Sequence, residues 1–194
     1  MSSKNMISDI KLQEGLALAV KFSSPEDIVE KLELQSGSVV ADFGCGAGYF
    51  SLPIAKKIKE QGVVYSLDIL PQSLESVASK AKSAGLNNIV TKRVNLEKEG
   101  GSSLPDNSCD WVIMKCILFQ NKNKAGILAE ANRILKKSGK ILIVEWNTEE
   151  SSIGPDSSLR ISKEALTEIA QKIGFSIFKE ISVSDFHYGL VFVK

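Results

Sequence analysis

The sequence predicts an α/β domain: a parallel sheet with helices on both faces, closed by a C-terminal antiparallel hairpin, seven strands in all. Three observations carry that prediction. Short β-branched runs alternate with stretches of helical spacing, the pattern of a parallel sheet joined by right-handed crossovers. The run "VVADFGCGAG", residues 39–48, ends a strand in alternating glycines directly ahead of a helix. The last two strand-like runs, "FSIFKEISV" and "YGLVFVK", are joined only by "SDFH", which is too short for a crossover helix, so they pair antiparallel.

Taken in order, residues 1–38 read as a helical lid or flanking segment and residues 39–194 as the core, in a single domain overall. In "SPEDIVEKL" Ser24 is the N-cap, Pro25 occupies the first turn, Asp27 takes the capping-box position, and Ile28 and Leu32 lie four apart. The strand "SVVADF" is followed by the helix "YFSLPIAKKIKEQG", stopped by Gly62, in which Pro53 is tolerated only near the first turn. The same unit returns as "VVYSLDI" with "QSLESVASKAKSAG", then "NIVTKRV", then "DWVIMKC" with "KAGILAEANRILKKSG", then "KILIVEW" with "ISKEALTEIAQKIG". Five strands separated by helices are expected. Residues 97–109 and "SSIGPDSS" read as loops.

Composition narrows the function. At 194 residues, 43% hydrophobic and 24% charged, the chain is an ordinary soluble domain. Its formal net charge of +1 and its lack of a run of five like charges speak against a nucleic-acid or anionic-membrane partner. Cys45, Cys109 and Cys116 form no C-x-x-C pair, so neither a disulfide framework nor a zinc site is expected, and the compartment is a reducing one. The N-terminus has no apolar targeting core, and no apolar run approaches the roughly 20 residues of a membrane span. A cytoplasmic protein is the expectation.

In an open α/β sheet the ligand sits beyond the carboxyl ends of the strands, near the switch point, and the loop after the first strand is residues 42–48. Glycines at 44, 46 and 48 let backbone approach a ligand, and the helix behind them offers free N–H groups. Asp42 adds a carboxylate that repels phosphate and welcomes an ammonium. Asp68 ends the next strand, where a carboxylate accepts ribose hydroxyls. Together these describe an adenosine-bearing ligand. The dinucleotide fingerprint requires a small third residue where this chain has Tyr49, which counts against NAD and favours an adenosyl ligand carrying an amino acid.

The segment "VVADFGCGAG" resembles motif I of the class I S-adenosylmethionine-dependent methyltransferases, and "VVYSLDI" resembles the acidic motif that comes after it. "LPDNSCDWVIM" and "LAEANRILKKSGKILIVEW" are similar to that family's approach to the fourth strand and to its helix, turn and fifth strand. The likeness covers about Pro25 to Lys194 and is nearest the broad group containing the ubiquinone and menaquinone biosynthesis methyltransferases. It implies a Rossmann-like fold with S-adenosylmethionine as cofactor, S-adenosylhomocysteine as product and no metal. The cofactor set it implies is Asp42, Gly44, Cys45, Gly46, Gly48, Asp68, Ile69, Asn95, Leu96 and Lys115. Two positions depart from the family pattern: Asn95 stands where an acid is common, and Ser138 replaces the first glycine of the turn at Gly139. The acceptor is expected to be a small molecule rather than RNA. By location, His187 and Glu145 are the candidates for a base, and Arg160 with "GPDSSLR" is expected to close over the substrate. A NAD-linked oxidoreductase and a catalytically silent adenosyl-binding scaffold are the alternatives.

Overall fold

The computed structural model describes residues 23–194, so of the helical lid or flanking segment expected over residues 1–38 the part at 1–22 lies outside the described residues. Beyond residue 22 the flanking segment contains one short helix, α1 (Pro25–Glu30). The Asp27 amide donates to Ser24 Oγ and the Ser24 amide to the Asp27 carboxylate, the reciprocal box that the spacing predicts. The rest runs β1 (Val39–Phe43), α2 (Ser51–Ile58), β2 (Val63–Asp68), α3 (Pro71–Ser83), β3 (Ile89–Arg93), β4 (Cys109–Lys115), α4 (Lys124–Ile134), β5 (Leu135–Trp146), α5 (Lys163–Lys172), β6 (Ser176–Ser184) and β7 (His187–Val193). Pro53 is the third residue of α2, where its missing N–H costs nothing. No helix among the described residues is long and apolar enough to cross a membrane.

The seven strands form one sheet in the order β3-β2-β1-β4-β5-β7-β6. β1 to β5 are mutually parallel, and β7 lies antiparallel between β5 and β6. β6 therefore runs with the parallel set, and the turn after it emerges at the carboxyl edge. Side chains alternate between two cores. Ala41, Phe43, Val112, Met114, Ile141 and Ile143 face α4 and α5, while Val40, Ile113, Leu142 and Val144 face α1 and α2. Leu32 and Leu34, from the expected flanking segment, belong to the second core.

Two expectations are corrected, while the β3–β4 connection is the loop expected over residues 97–109: residues 94–108 form turns, as Gly100, Gly101 and Pro105 dictate. That connection is tied to α4, where Glu130 accepts the Ser102 amide and hydroxyl and Arg133 pairs with both Glu130 and Asp106. Burial raises the Glu130 carboxyl, but hydrogen bonds from Arg133 and Ser102 outweigh it and hold the group down at about 2. The helix expected to include "ILKKSG" stops at Ile134, because Leu135 already pairs with Cys109. Ser138 there adopts φ +64°, the conformation for which a glycine is the usual choice. Finally, "SDFH" shrinks to a two-residue turn, and His187 is the first residue of β7, opposite Trp146.

Candidate active site

Strand order maps the carboxyl edge of the sheet. Reading across it, the chain presents residues 94–97 after β3, Asp68 and Ile69 after β2, the glycine loop after β1, and Lys115 and Cys116 after β4. One cleft crosses all four. Of the ten residues in the expected cofactor set it is lined by Gly44, Gly46, Asp68, Ile69, Asn95, Leu96 and Lys115, and not by Asp42, Cys45 or Gly48.

Gly46 carries the cradle. Its φ is +50°, and a Cβ built on it meets no atom within 4 Å, so its bare face opens on ligand space. Gly44 is excluded from substitution differently: its Cβ would lie 2.4 Å from Ile117 Cγ2, so the loop after β4 rests on it. Gly48 packs against α3, where a Cβ would lie 3.3 Å from Val77 Cγ2. Lys80 of α3 also donates to the Ala47 carbonyl at 2.8 Å. The Cys45 thiol is buried beside Leu74 and Val77, and that burial pushes its pKa up, so it is a packing group.

Asp42 does not reach the cleft. It is 2% exposed and accepts the Ser51 hydroxyl at 2.6 Å, while Ser66 Oγ donates to Ser51 Oγ at 2.7 Å. Burial raises its pKa to about 6, against the Ser51 hydrogen bonds. Asp42 thus belongs to a buried polar chain beneath the glycine loop.

Asp68 does face the cleft, and it also shapes it. Oδ2 accepts the Gly46 amide at 2.9 Å and Oδ1 accepts the Leu70 amide at 2.9 Å. A carboxylate offers about four lone-pair sites, so acceptor capacity remains for a pair of hydroxyls. Asn95 Oδ1 accepts the Glu97 amide at 3.0 Å, which turns the loop after β3 toward the same space.

Sequence reasoning misses the wall formed by Cys116, Ile117, Gln120 and Asn121. Cys116 has φ +54° although it is not a glycine, so no sequence signal marks this turn. Only position could have found it, since the loop after every parallel strand ends at the same edge. Lys115 Nζ sits 4.8 Å over the Tyr49 ring and 3.8 Å from Cys116 Sγ, without an ion pair among the described residues.

Neither expected base touches the cleft. His187 lies at the correct end of the sheet, but Nδ1 is bonded to Ser184 Oγ at 2.8 Å and its ring packs 4.1 Å from Trp146. Its Nε2 is sealed and has no partner among the described residues. Burial, with the charges of Lys115 and Arg160, lowers its pKa to about 4. Glu145 is fully buried on the other face, where Oε1 accepts the Leu118 amide at 2.7 Å and burial raises the carboxyl to about 7. Arg160 is not free to close over a substrate: its guanidinium donates six hydrogen bonds, to the carbonyls of Asn147, Glu149, Ile153 and Pro155 and to Ser151 Oγ.

Comparison with known proteins agrees with this architecture. A family model described as a methyltransferase domain matches residues 34–182. An aklanonic acid methyltransferase from Streptomyces sp. is 32% identical over 126 residues, which is 64% of this chain and 56% of that protein. A demethylmenaquinone methyltransferase from Geobacillus stearothermophilus is 27% identical over 120 residues, 62% of this chain and 50% of that protein. The matched region thus spans about half the length of these curated relatives. Among solved structures, a SAM-dependent methyltransferase from Aquifex aeolicus shares the fold with a TM-score of 0.81 at 24% identity, over 96% of this chain and 97% of that one. Neither the NAD-linked nor the silent-scaffold alternative finds support in these matches. The chain belongs to the methyltransferase domain family, in its class I S-adenosylmethionine-dependent group.

Proposed function

We propose that this chain transfers a methyl group from S-adenosylmethionine to a small-molecule acceptor by in-line displacement. The observation that carries the reading is the pairing of the open Gly46 backbone with the Asp68 carboxylate in one cleft. That donor set fits an adenosyl ligand: Asp68 for the ribose hydroxyls, Ile69 and Leu96 against the base, Asn95 beside its edge, and Gly44 and Gly46 under the amino-acid portion. Lys115 supplies a cation for a carboxylate at the far end. When bound, the cofactor supplies an electrophilic methyl group on a sulfonium. The protein's residues hold that group facing the acceptor and exclude water, and near-attack positioning of this kind contributes about 7 to 11 kcal/mol.

Small-molecule acceptors are named for both relatives, aklanonic acid and demethylmenaquinone, and the near-neutral chain offers no broad basic surface for RNA. Residues 39–194 are the proposed catalytic core, with 1–38 as its flanking segment in one domain. Three free thiols suit a reducing, cytoplasmic setting. Titration with S-adenosylhomocysteine, without added metal, is expected to give a one-to-one isotherm, and Gly46→Val to abolish it in a folded protein. A Gly46→Val protein that binds normally places the ligand elsewhere.

A further inference from the structure

We infer that Glu145 is a positioning residue: its buried carboxyl holds the segment from Cys116 to Asn121, and through Ile117 the glycine loop, in the shape that takes the cofactor. The inference rests on the cofactor reading proposed for the cleft.

Glu145 is 0% exposed, so it touches neither cofactor nor acceptor. Its reach is to the backbone of the wall. β5 grips that wall at two successive positions: the Val144 carbonyl accepts the Cys116 amide at 2.8 Å, and Glu145 Oε1 accepts the Leu118 amide at 2.7 Å. Between them Cys116 is held at φ +54°, a conformation that residues with a Cβ adopt only when their surroundings impose it. The carbonyls of the turn are satisfied from within, since Asn121 Nδ2 donates to the Ile117 carbonyl at 2.6 Å and Gln120 Nε2 to that of Cys116 at 3.2 Å. The Leu118 amide depends on Glu145. Ile117, fixed between these two anchors, is the side chain against which Gly44 lies.

A residue kept for packing alone at this site would be apolar, as Ile141 and Ile143 are on the same face of β5. Instead the chain keeps a carboxyl whose Oε2 has no partner among the described residues. Such a group is costly to bury, and burial has raised its pKa to about 7. The link to Leu118 offsets that cost, and it acts on the cleft wall.

The test separates binding from stability. S-adenosylhomocysteine affinity and thermal unfolding are measured for the wild type, Glu145→Gln and Glu145→Leu. Glu145→Gln keeps an acceptor for the Leu118 amide and should bind within about threefold of the wild type. Glu145→Leu strands that amide and should weaken binding by about tenfold or more. Its melting temperature should change little, because removing the buried carboxyl offsets the cost of the stranded amide. Wild-type affinity in Glu145→Leu, or affinity and stability falling together, overturns the inference. Should that variant not fold, Glu145→Asp serves: its shorter side chain should speed exchange of the Leu118 amide and weaken binding while other β5 amides stay protected, and unchanged Leu118 protection overturns the inference. A wild type that does not bind S-adenosylhomocysteine sinks the cofactor reading instead.

Discussion

Replacing Asp68 by alanine should affect binding in two ways that the structure separates. Asp68 is 8% exposed, and its two oxygens each accept a backbone amide at 2.9 Å, one from Gly46 and one from Leu70. A hydrogen bond to a charged group contributes about 1.5 to 3 kcal/mol, so losing a single ribose hydroxyl contact weakens the complex by roughly 10- to 100-fold. Alanine also frees the Gly46 amide that sets the glycine loop against the end of β2, and the Leu70 amide of the turn after it, so the cradle must be ordered at the moment of binding. The combined loss for Asp68→Ala should therefore exceed about 100-fold. Asp68→Asn keeps one acceptor but turns an NH2 toward an amide that needs an acceptor, and should fall between alanine and wild type. Calorimetric titration with S-adenosylhomocysteine measures the affinities, and amide exchange at Gly46 reports the loop. An Asp68→Ala protein with wild-type affinity would refute the reasoning, and would remove this carboxylate from the ligand site.

Ser138→Gly should stabilise the fold by about 0.5 to 1 kcal/mol: relief of the left-handed conformation is worth roughly 1 to 2, and the freer unfolded chain returns about 0.4 to 1. A melting temperature raised by about 1 to 4 °C is expected, and an unchanged or lower one contradicts the strain at that turn. His187→Gln should lower turnover by less than about tenfold, because a sealed imidazole titrating near 4 is neutral and unchanged between pH 6 and 8. A wild-type rate profile with an inflection near 6.5 that the variant abolishes would restore His187 as a base. Asp42 has its pKa raised from 3.8 to about 6, so the stability it contributes is present below pH 3.8 and is lost as pH rises through 6. Relative to Asp42→Asn, the wild type should lose about 2 to 2.5 kcal/mol of unfolding free energy between pH 4 and 7, read from urea midpoints. A difference independent of pH would show that the buried carboxyl is not strained electrostatically.

What is legible in the sequence comes from periodicity and topology. Strand positions, the antiparallel ending and the direction of β6 need only alternation and connection length, and they place Gly46, Asp68 and Asn95 at one edge. What is not legible depends on contacts distant in sequence. Asp42 lies near the end of β1 and so reads as facing a ligand, but Ser51 of α2, itself bonded by Ser66 of β2, reaches it and draws it under the loop. The wall after β4 is invisible because its turn is made by a cysteine at positive φ rather than by a glycine. Topology puts His187 at the right end of the sheet, yet which face it takes, and that Trp146 covers it, requires register as well as direction. Glu145 likewise sits at the expected strand end but points into the core.

The loop wound about Arg160 governs how this edge of the molecule comes apart. Five groups spread over residues 147–155 share one guanidinium, which also packs 5.6 Å over Trp146, so no part of the loop can leave while the others keep their bonds intact and the cation satisfied. The span therefore opens as one unit instead of fraying from a tip. A protease meets either a closed surface or the whole stretch, and cleavage at any bond within it proceeds at a rate set by the same opening equilibrium.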